Sequence, residues 1–365
     1  MKSFAIALVL LLSIILQTGC SFKDIDKRLF IAAIAIDPAE SGAGYKVTLK
    51  LALPIASVKN SSGPRYAYLE TEGDSIGESL RKLESHADKV LEYGHVKAII
   101  INEKLFSEDV QMFMDYFTRR GDIQLIAYVI AAKPSAAEII KVEPETEAAS
   151  TITLFNFFDD SATESPYITT SFLFQFRRDY LGKGICAFIP LMETNDEGTE
   201  LIVQKAIATG EGSDSLTLSD NQTKYYNSLF NRKSGLDYLV ETDDLKLMLN
   251  IKQVKMSYQI ITEGNEPKSI KVHVDFAGII GQSSKVLHIE KLDKYNTASE
   301  KVLKENLTDF FKTLQEANID PGFGLRYRAT RLNQEGLIEK WEAAYKDLPI
   351  DISVKVRLKS TGAVE

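Results

Sequence analysis

At 365 residues the chain is long for a single domain, and two or three are expected. Its 44% hydrophobic and 26% charged residues exclude a disordered or fibrous protein and leave ample material for a core. A net charge of −8 excludes nucleic acid as the main partner, since phosphate binding needs clustered Lys and Arg, and makes attachment to an anionic membrane by charge alone a poor expectation.

The chain begins with Lys2, an apolar run from Phe4 to Leu16 broken only by Ser13, and then Thr18-Gly19-Cys20. A positive start, an apolar middle and a small-residue exit make a secretory signal. The run is shorter than the roughly 20 apolar residues of a membrane-spanning helix. A small residue directly before a cysteine resembles the lipobox of bacterial lipoproteins, in which the sulfur receives a diacylglyceryl group. Gln17 departs from that pattern, where Leu, Val or Ile is usual. Residues 1–19 are therefore expected to leave as a signal peptide, with Cys20 as the lipidated N-terminus. Loss of Lys2 takes the charge from −8 to −9. Cys186 is the one other cysteine, so with Cys20 acylated no disulfide can form. It lies in an apolar strand-like run, Gly184–Pro190, as a buried, inert thiol.

Leu29–Ile36 reads as a buried strand ended by Asp37-Pro38, and Val47, Leu49, Leu51 and Leu53 alternate with polar residues as a half-buried one. Tyr66–Glu72 makes a third strand. Ser75 and Glu78 form a capping box ahead of Ile76, Leu80, Leu83 and Ala87 at helical spacing. His95–Ile101 is a strand, Lys104–Phe117 a second helix, and Ile123–Ala132 a strand before Pro134. The aromatic-rich stretches Ile152–Phe158 and Tyr167–Tyr180 are expected to be helices packed on the first sheet. Thr199–Thr209 is a strand and Ser219–Phe230 a helix. From Leu245 the pattern turns strongly β, with Ile270, Val272, Val274 and Phe276 alternating against Lys271, His273 and Asp275. A long helix is expected from a Thr297/Glu300 capping box to Pro321-Gly322, and the alternating strand Ile350–Leu358 closes the chain. One-sided strands mixed irregularly with helices indicate an α+β protein: several domains, with mixed or antiparallel sheets flanked by helices.

No catalytic constellation is visible. His86, His95, His273 and His288 make no metal-ligand spacing with one another, with Cys or with a carboxylate. Gly210-Glu-Gly212 and Gly322-Phe-Gly324 lack the Lys-Ser/Thr of a phosphate loop and read as turns. Asp159-Asp160 and Asp243-Asp244 are adjacent and so point to opposite sides of a strand. No enzyme, cofactor or metal is expected.

Four blocks in order resemble the Ger(x)C lipoproteins, the C subunits of bacterial spore germinant receptors. They are Thr18-Gly-Cys20 through Ile31–Pro38, then Gly94-His95 through Ile101, then Arg120-Gly-Asp122 through Lys133. The fourth is Asp320-Pro-Gly-Phe-Gly324 followed by Trp341 and the strand ending Lys359-Ser-Thr-Gly362. Phe22 near the place of a usual tryptophan and Ala35 for a usual glycine are departures. The resemblance implies a non-enzymatic lipoprotein on the outer face of the spore inner membrane. Its partners would be two integral-membrane subunits, A and B, of a nutrient-sensing receptor that triggers germination. It also implies three α+β domains in an elongated unit, here expected at 21–192, 193–254 and 255–365. No ligand residue carries over. A lipid-anchored solute-binding protein is the alternative; it would need two doubly wound lobes around a polar cleft. Phe323, between two glycines, is expected either to plug the core under the long helix or to meet a partner subunit.

Overall fold

The computed structural model describes residues 24–53, 66–107, 110–142, 156–158, 165–231, 233, 235–242, 245–331 and 336–360. Ile152–Phe155 and the two aspartate pairs lie outside them, as does Cys20. Among the described residues no helix is long and apolar enough to cross a membrane.

The first sheet is built on β1 (Arg28–Pro38), which pairs antiparallel with β2 (Tyr45–Ala52), and β2 with β3 (Tyr66–Gly73). Helix α1 (Ile76–Glu84) then returns the chain to β4 (Val90–Glu92) and β5 (Ala98–Asn102), both parallel to β1. Helix α2 (Val110–Arg119) crosses to β6 (Tyr128–Lys133), and α3 (Ala136–Lys141) and α4 (Leu173–Tyr180) to β7 (Ala187–Thr194), again in parallel. β8 (Leu201–Thr209) and β9 (Leu216–Leu218) finish the sheet antiparallel. β1 reads as an unbroken apolar run because both its faces are covered. Ile34 and Ile36 meet α1 and α2, whereas Ala33 and Ala35 meet α3.

Helix α5 (Asp220–Leu229) leads into a second sheet ordered β10 (Leu236–Glu241), β11 (Lys246–Glu263), β12 (Glu266–Ser283) and β13 (Ile350–Leu358). Only the β12–β13 pairing is parallel. The 25-residue helix α6 (Leu292–Glu316) covers one face with Leu303, Leu307, Phe310, Phe311 and Leu314. Two short helices, α7 (Phe323–Ala329) and α8 (Leu337–Tyr345), complete this unit. The chain is an α+β protein with two helix-covered sheets.

Several local expectations need correction. The second helix begins at Val110, and Glu103–Ser107 is a separate 3-10 turn. Of Tyr167–Tyr180 only α4 is helical, because Phe172 bridges to Tyr128 as a strand would. Thr297 does not cap α6: the helix starts five residues earlier, and Thr297 donates to the Asp293 carbonyl at 2.9 Å. Nor do Pro321-Gly322 end it. Asn318 takes a left-handed φ of 55°, and the Asn318 and Ile319 amides bond back to the Gln315 and Leu314 carbonyls. That is a Schellman stop with Asn in the place Gly usually fills.

Candidate functional site

One contact between the two units is built around Asp320-Pro-Gly-Phe-Gly324. Asp320 is buried, and its carboxylate accepts from the backbone N–H groups of Gly322 (2.8 Å), Phe323 (2.7 Å) and Gly324 (3.0 Å). The indole N–H of Trp341, on α8, donates to it at 2.7 Å. The backbone donors are first-turn amides of α7, which have no partner within the helix, and a negative charge is favoured at that end. Pro321 is the member of the turn with no N–H to offer. Gly322, at φ 111°, takes a conformation that Pro321 and Phe323 could not. Burial outweighs the four donors and pushes the Asp320 carboxyl up to about 6.

Phe323 is fully buried, the first of the two arrangements its sequence allowed. Its ring lies 4.8 Å from Tyr258, 5.7 Å from Phe311 and 5.9 Å from Phe230. Gly324 touches the lead-in to β7, and a Cβ there would stand 2.5 Å from both the Gly184 Cα and the Trp341 Nε1. Hydrogen bonds stitch the same contact. The Cys186 amide donates to the Asp320 carbonyl (2.7 Å), the Leu325 amide to the Gly184 carbonyl (3.1 Å), and the Ser213 hydroxyl to the Asn318 carbonyl (2.9 Å). A cavity of about 230 Å³ lies at this seam, with Cys186, Asp320, Trp341 and Tyr345 in its wall. At its rim Lys183 faces Glu211 (3.8 Å) and Glu342 (3.5 Å).

The first sheet contains a second buried aspartate in the same role. Asp37, at the end of β1, accepts from the Asn102 amide (2.8 Å), the Ser135 hydroxyl (3.2 Å) and the backbone amides of Ala136 and Ala137 (both 2.8 Å). It thereby ties β1, β5 and the start of α3 together.

These arrangements hold structure; they are poorly suited to reaction. Both Asp320 oxygens are occupied by fixed donors. Burial pushes the Cys186 thiol up to about 11, which keeps it protonated and a weak nucleophile near neutral pH. Among the described residues no group of three or more His, Cys, Asp or Glu could hold a metal ion. His95 packs edge-on against Phe30 at 4.9 Å, and His273 bonds Ser353 at 2.8 Å. The sequence brings Phe323 and Cys186 forward but not Asp37 or Asp320 as anchors. Both precede a proline: Asp37-Pro38 reads as the end of a strand, and Asp320 only as the residue before the expected Pro321-Gly322 stop.

Known proteins give the arrangement a context. A family model described as a spore germination protein N-terminal domain matches residues 21–194, and one described as spore germination B3/GerAC like, C-terminal, matches 214–362. Spore germination protein KC of Bacillus subtilis (strain 168) is 23% identical, with 98% of this chain and 95% of that protein covered. Spore germination protein GerQC of Bacillus cereus is 19% identical over 98% and 99%. The crystal structure of the GerBC protein matches with a TM-score of 0.56 at 17% identity, covering 89% of this chain and 96% of that one. At that identity the match speaks for the fold.

Proposed function

The chain belongs to the Ger(x)C family of spore germination proteins, and from that premise we propose that it is the lipid-anchored C subunit of a nutrient germinant receptor. In this reading it sits on the outer face of the spore inner membrane, held by a diacylglyceryl group on Cys20. It assembles with the integral-membrane A and B subunits and performs no catalysis. The observation that carries the proposal is the two-part family match, which begins at residue 21, directly after Cys20, and runs to 362 in domain order. The occupied Asp320 carboxylate and the protonated Cys186 thiol favour a non-enzymatic role. A solute-binding protein finds no such support, since the antiparallel β10–β12 meander is not a doubly wound lobe.

Two chains hold a protein on a membrane stably where one does so marginally, which a diacylglyceryl thioether satisfies. In spores carrying Cys20→Ala, the protein is expected to leave the membrane fraction or to stay only through an uncleaved signal. Nutrient germination through this receptor should fail or slow severely, while routes that bypass receptors persist. Mass spectrometry of the wild-type N-terminal peptide tests the chemistry directly. An unmodified Cys20 on a membrane-bound, functional protein overturns the proposal.

A further inference from the structure

Nine large apolar side chains stand exposed among the described residues, and five of them share one end of the first sheet. β4 and β5 pair in parallel with β1, one after the other along the same edge, and β6 pairs in parallel with β5, so the starting ends of all four point the same way. Ile25, 70% exposed, lies in the 3-10 turn just ahead of β1, and Val90, 58% exposed, is the first residue of β4. Leu125 and Ile126, 48% and 59% exposed, form the turn that enters β6. Phe174, 42% exposed, is fastened to that turn by its amide, which donates to the Leu125 carbonyl at 3.0 Å. The Gln124 side chain donates to the Gly94 carbonyl at 2.8 Å and so draws the β6 turn to the level of the β4–β5 connection. Single exposed apolar residues are ordinary, but a group collected on one face marks a contact surface.

We infer that this end of the first sheet rests on the bilayer surface, with Ile25, Val90, Leu125, Ile126 and Phe174 entering the headgroup layer. The argument comes from where the chain leads. Asp24, the first described residue, lies four residues after Cys20, and four extended residues span at most about 14 Å. This inference rests on the proposed lipidation of Cys20. Acyl chains there bring the headgroups within that distance of Asp24, next to Ile25, and hold this face against them at high effective concentration. Lys27, Lys89 and Lys97 are offset by Asp24, Asp26 and Asp88, with Lys27 facing Asp24 at 3.4 Å, so the contact depends on apolar area and tether rather than on net charge.

The test uses the full chain, produced in membrane form and reconstituted alone into vesicles of phosphatidylethanolamine and phosphatidylglycerol. A polarity-sensitive fluorophore is placed at Val90→Cys or Ile126→Cys. Met112→Cys serves as the control: it is exposed on α2 at the opposite end of the sheet, where its sulfur meets the Tyr45 hydroxyl. Cys186 is buried and does not compete for label. With nitroxide-bearing headgroups in the vesicles, the labels at 90 and 126 should lose most of their fluorescence and the label at 112 almost none. Protein that floats with the vesicles but shows no quenching at 90 or 126 overturns the inference and leaves the lipid anchor intact. Protein that does not float, with Cys20 unmodified by mass, removes the anchor and this inference with it.

Discussion

Asp320→Asn preserves side-chain shape but replaces one carboxylate oxygen by an NH2 group. Oδ1 accepts from Gly322 and Phe323, and Oδ2 from Gly324 and Trp341, so either amide orientation sets donor against donor. The variant should lose about 2–5 kcal/mol in denaturant unfolding at pH 5, where the folded carboxyl is mostly neutral, the cost of two broken hydrogen bonds and their stranded donors. The deficit should depend on pH. The folded carboxyl is raised to about 6 from an ordinary 3.8, so its contribution to stability is full below about pH 4 and fades as pH climbs through 6. The gap between wild type and variant should therefore narrow by up to ~3 kcal/mol between pH 4 and 7. A gap that widens over that range would mean that the four donors outweigh burial. Phe323→Ala tests the neighbouring position. Truncating a fully buried ring costs about 3–5 kcal/mol, and a variant as stable as wild type would contradict the packing against Tyr258 and Phe311.

At the scale of elements, α6 does more than cover the second sheet. β13 is an edge strand, and its outward amides would be open to pairing with another chain. Glu300 accepts the Val356 amide and Asn296 the Leu358 amide, both at 3.0 Å, so the helix caps that edge with its side chains. Replacing both residues by Ala should cost about 1 kcal/mol for each lost bond. Amide exchange at Val356 and Leu358 should quicken selectively, whereas exchange no faster than elsewhere in β13 would refute the edge-capping role. The same helix shows what the sequence could convey. Its apolar spacing from Leu303 to Leu314 is legible because every side chain on that stripe meets the sheet. Its ends are not. Thr297 and Glu300 match a capping box by spacing, yet Glu300 serves Val356 of β13, a partner far along the chain that no local pattern encodes. β10 is hard to read although Leu236, Tyr238 and Val240 alternate with Asp237, Leu239 and Glu241, since six residues with an exposed Leu239 give a weak period. Asp37 and Asp320 are legible as turn residues only, because their function depends on donors that folding brings from distant segments.

For the whole molecule, the decisive feature is that the two sheets share packing. In β8, Ile207 faces the first core while its neighbours Ala206 and Ala208 face the second, with Phe188, Leu218 and Cys186 beside them. The stretch expected as a middle domain, 193–254, is thus distributed: β8 and β9 close the first sheet, whereas α5, β10 and the first half of β11 open the second unit. Local periodicity conveys most elements of this stretch but not their allocation, which rests on contacts such as Cys186 to Asp320 and Thr169 to Asn227 (3.1 Å). A strand whose two faces serve different cores couples the stability of one to the other, since neither unit can unfold without uncovering apolar surface of its neighbour. The mature chain should therefore unfold in one cooperative transition, with near- and far-ultraviolet circular dichroism reporting the same midpoint. Cut after Leu218, the first segment would expose Phe188, Ala206, Ala208 and Leu218, and the second would lose the wall of Gly184 and Ile185 that Gly324 and Gly322 meet. Each segment expressed alone should aggregate or unfold far below the intact midpoint. Two soluble segments with melting temperatures matching two resolved transitions of the whole chain would show that the seam joins independent domains.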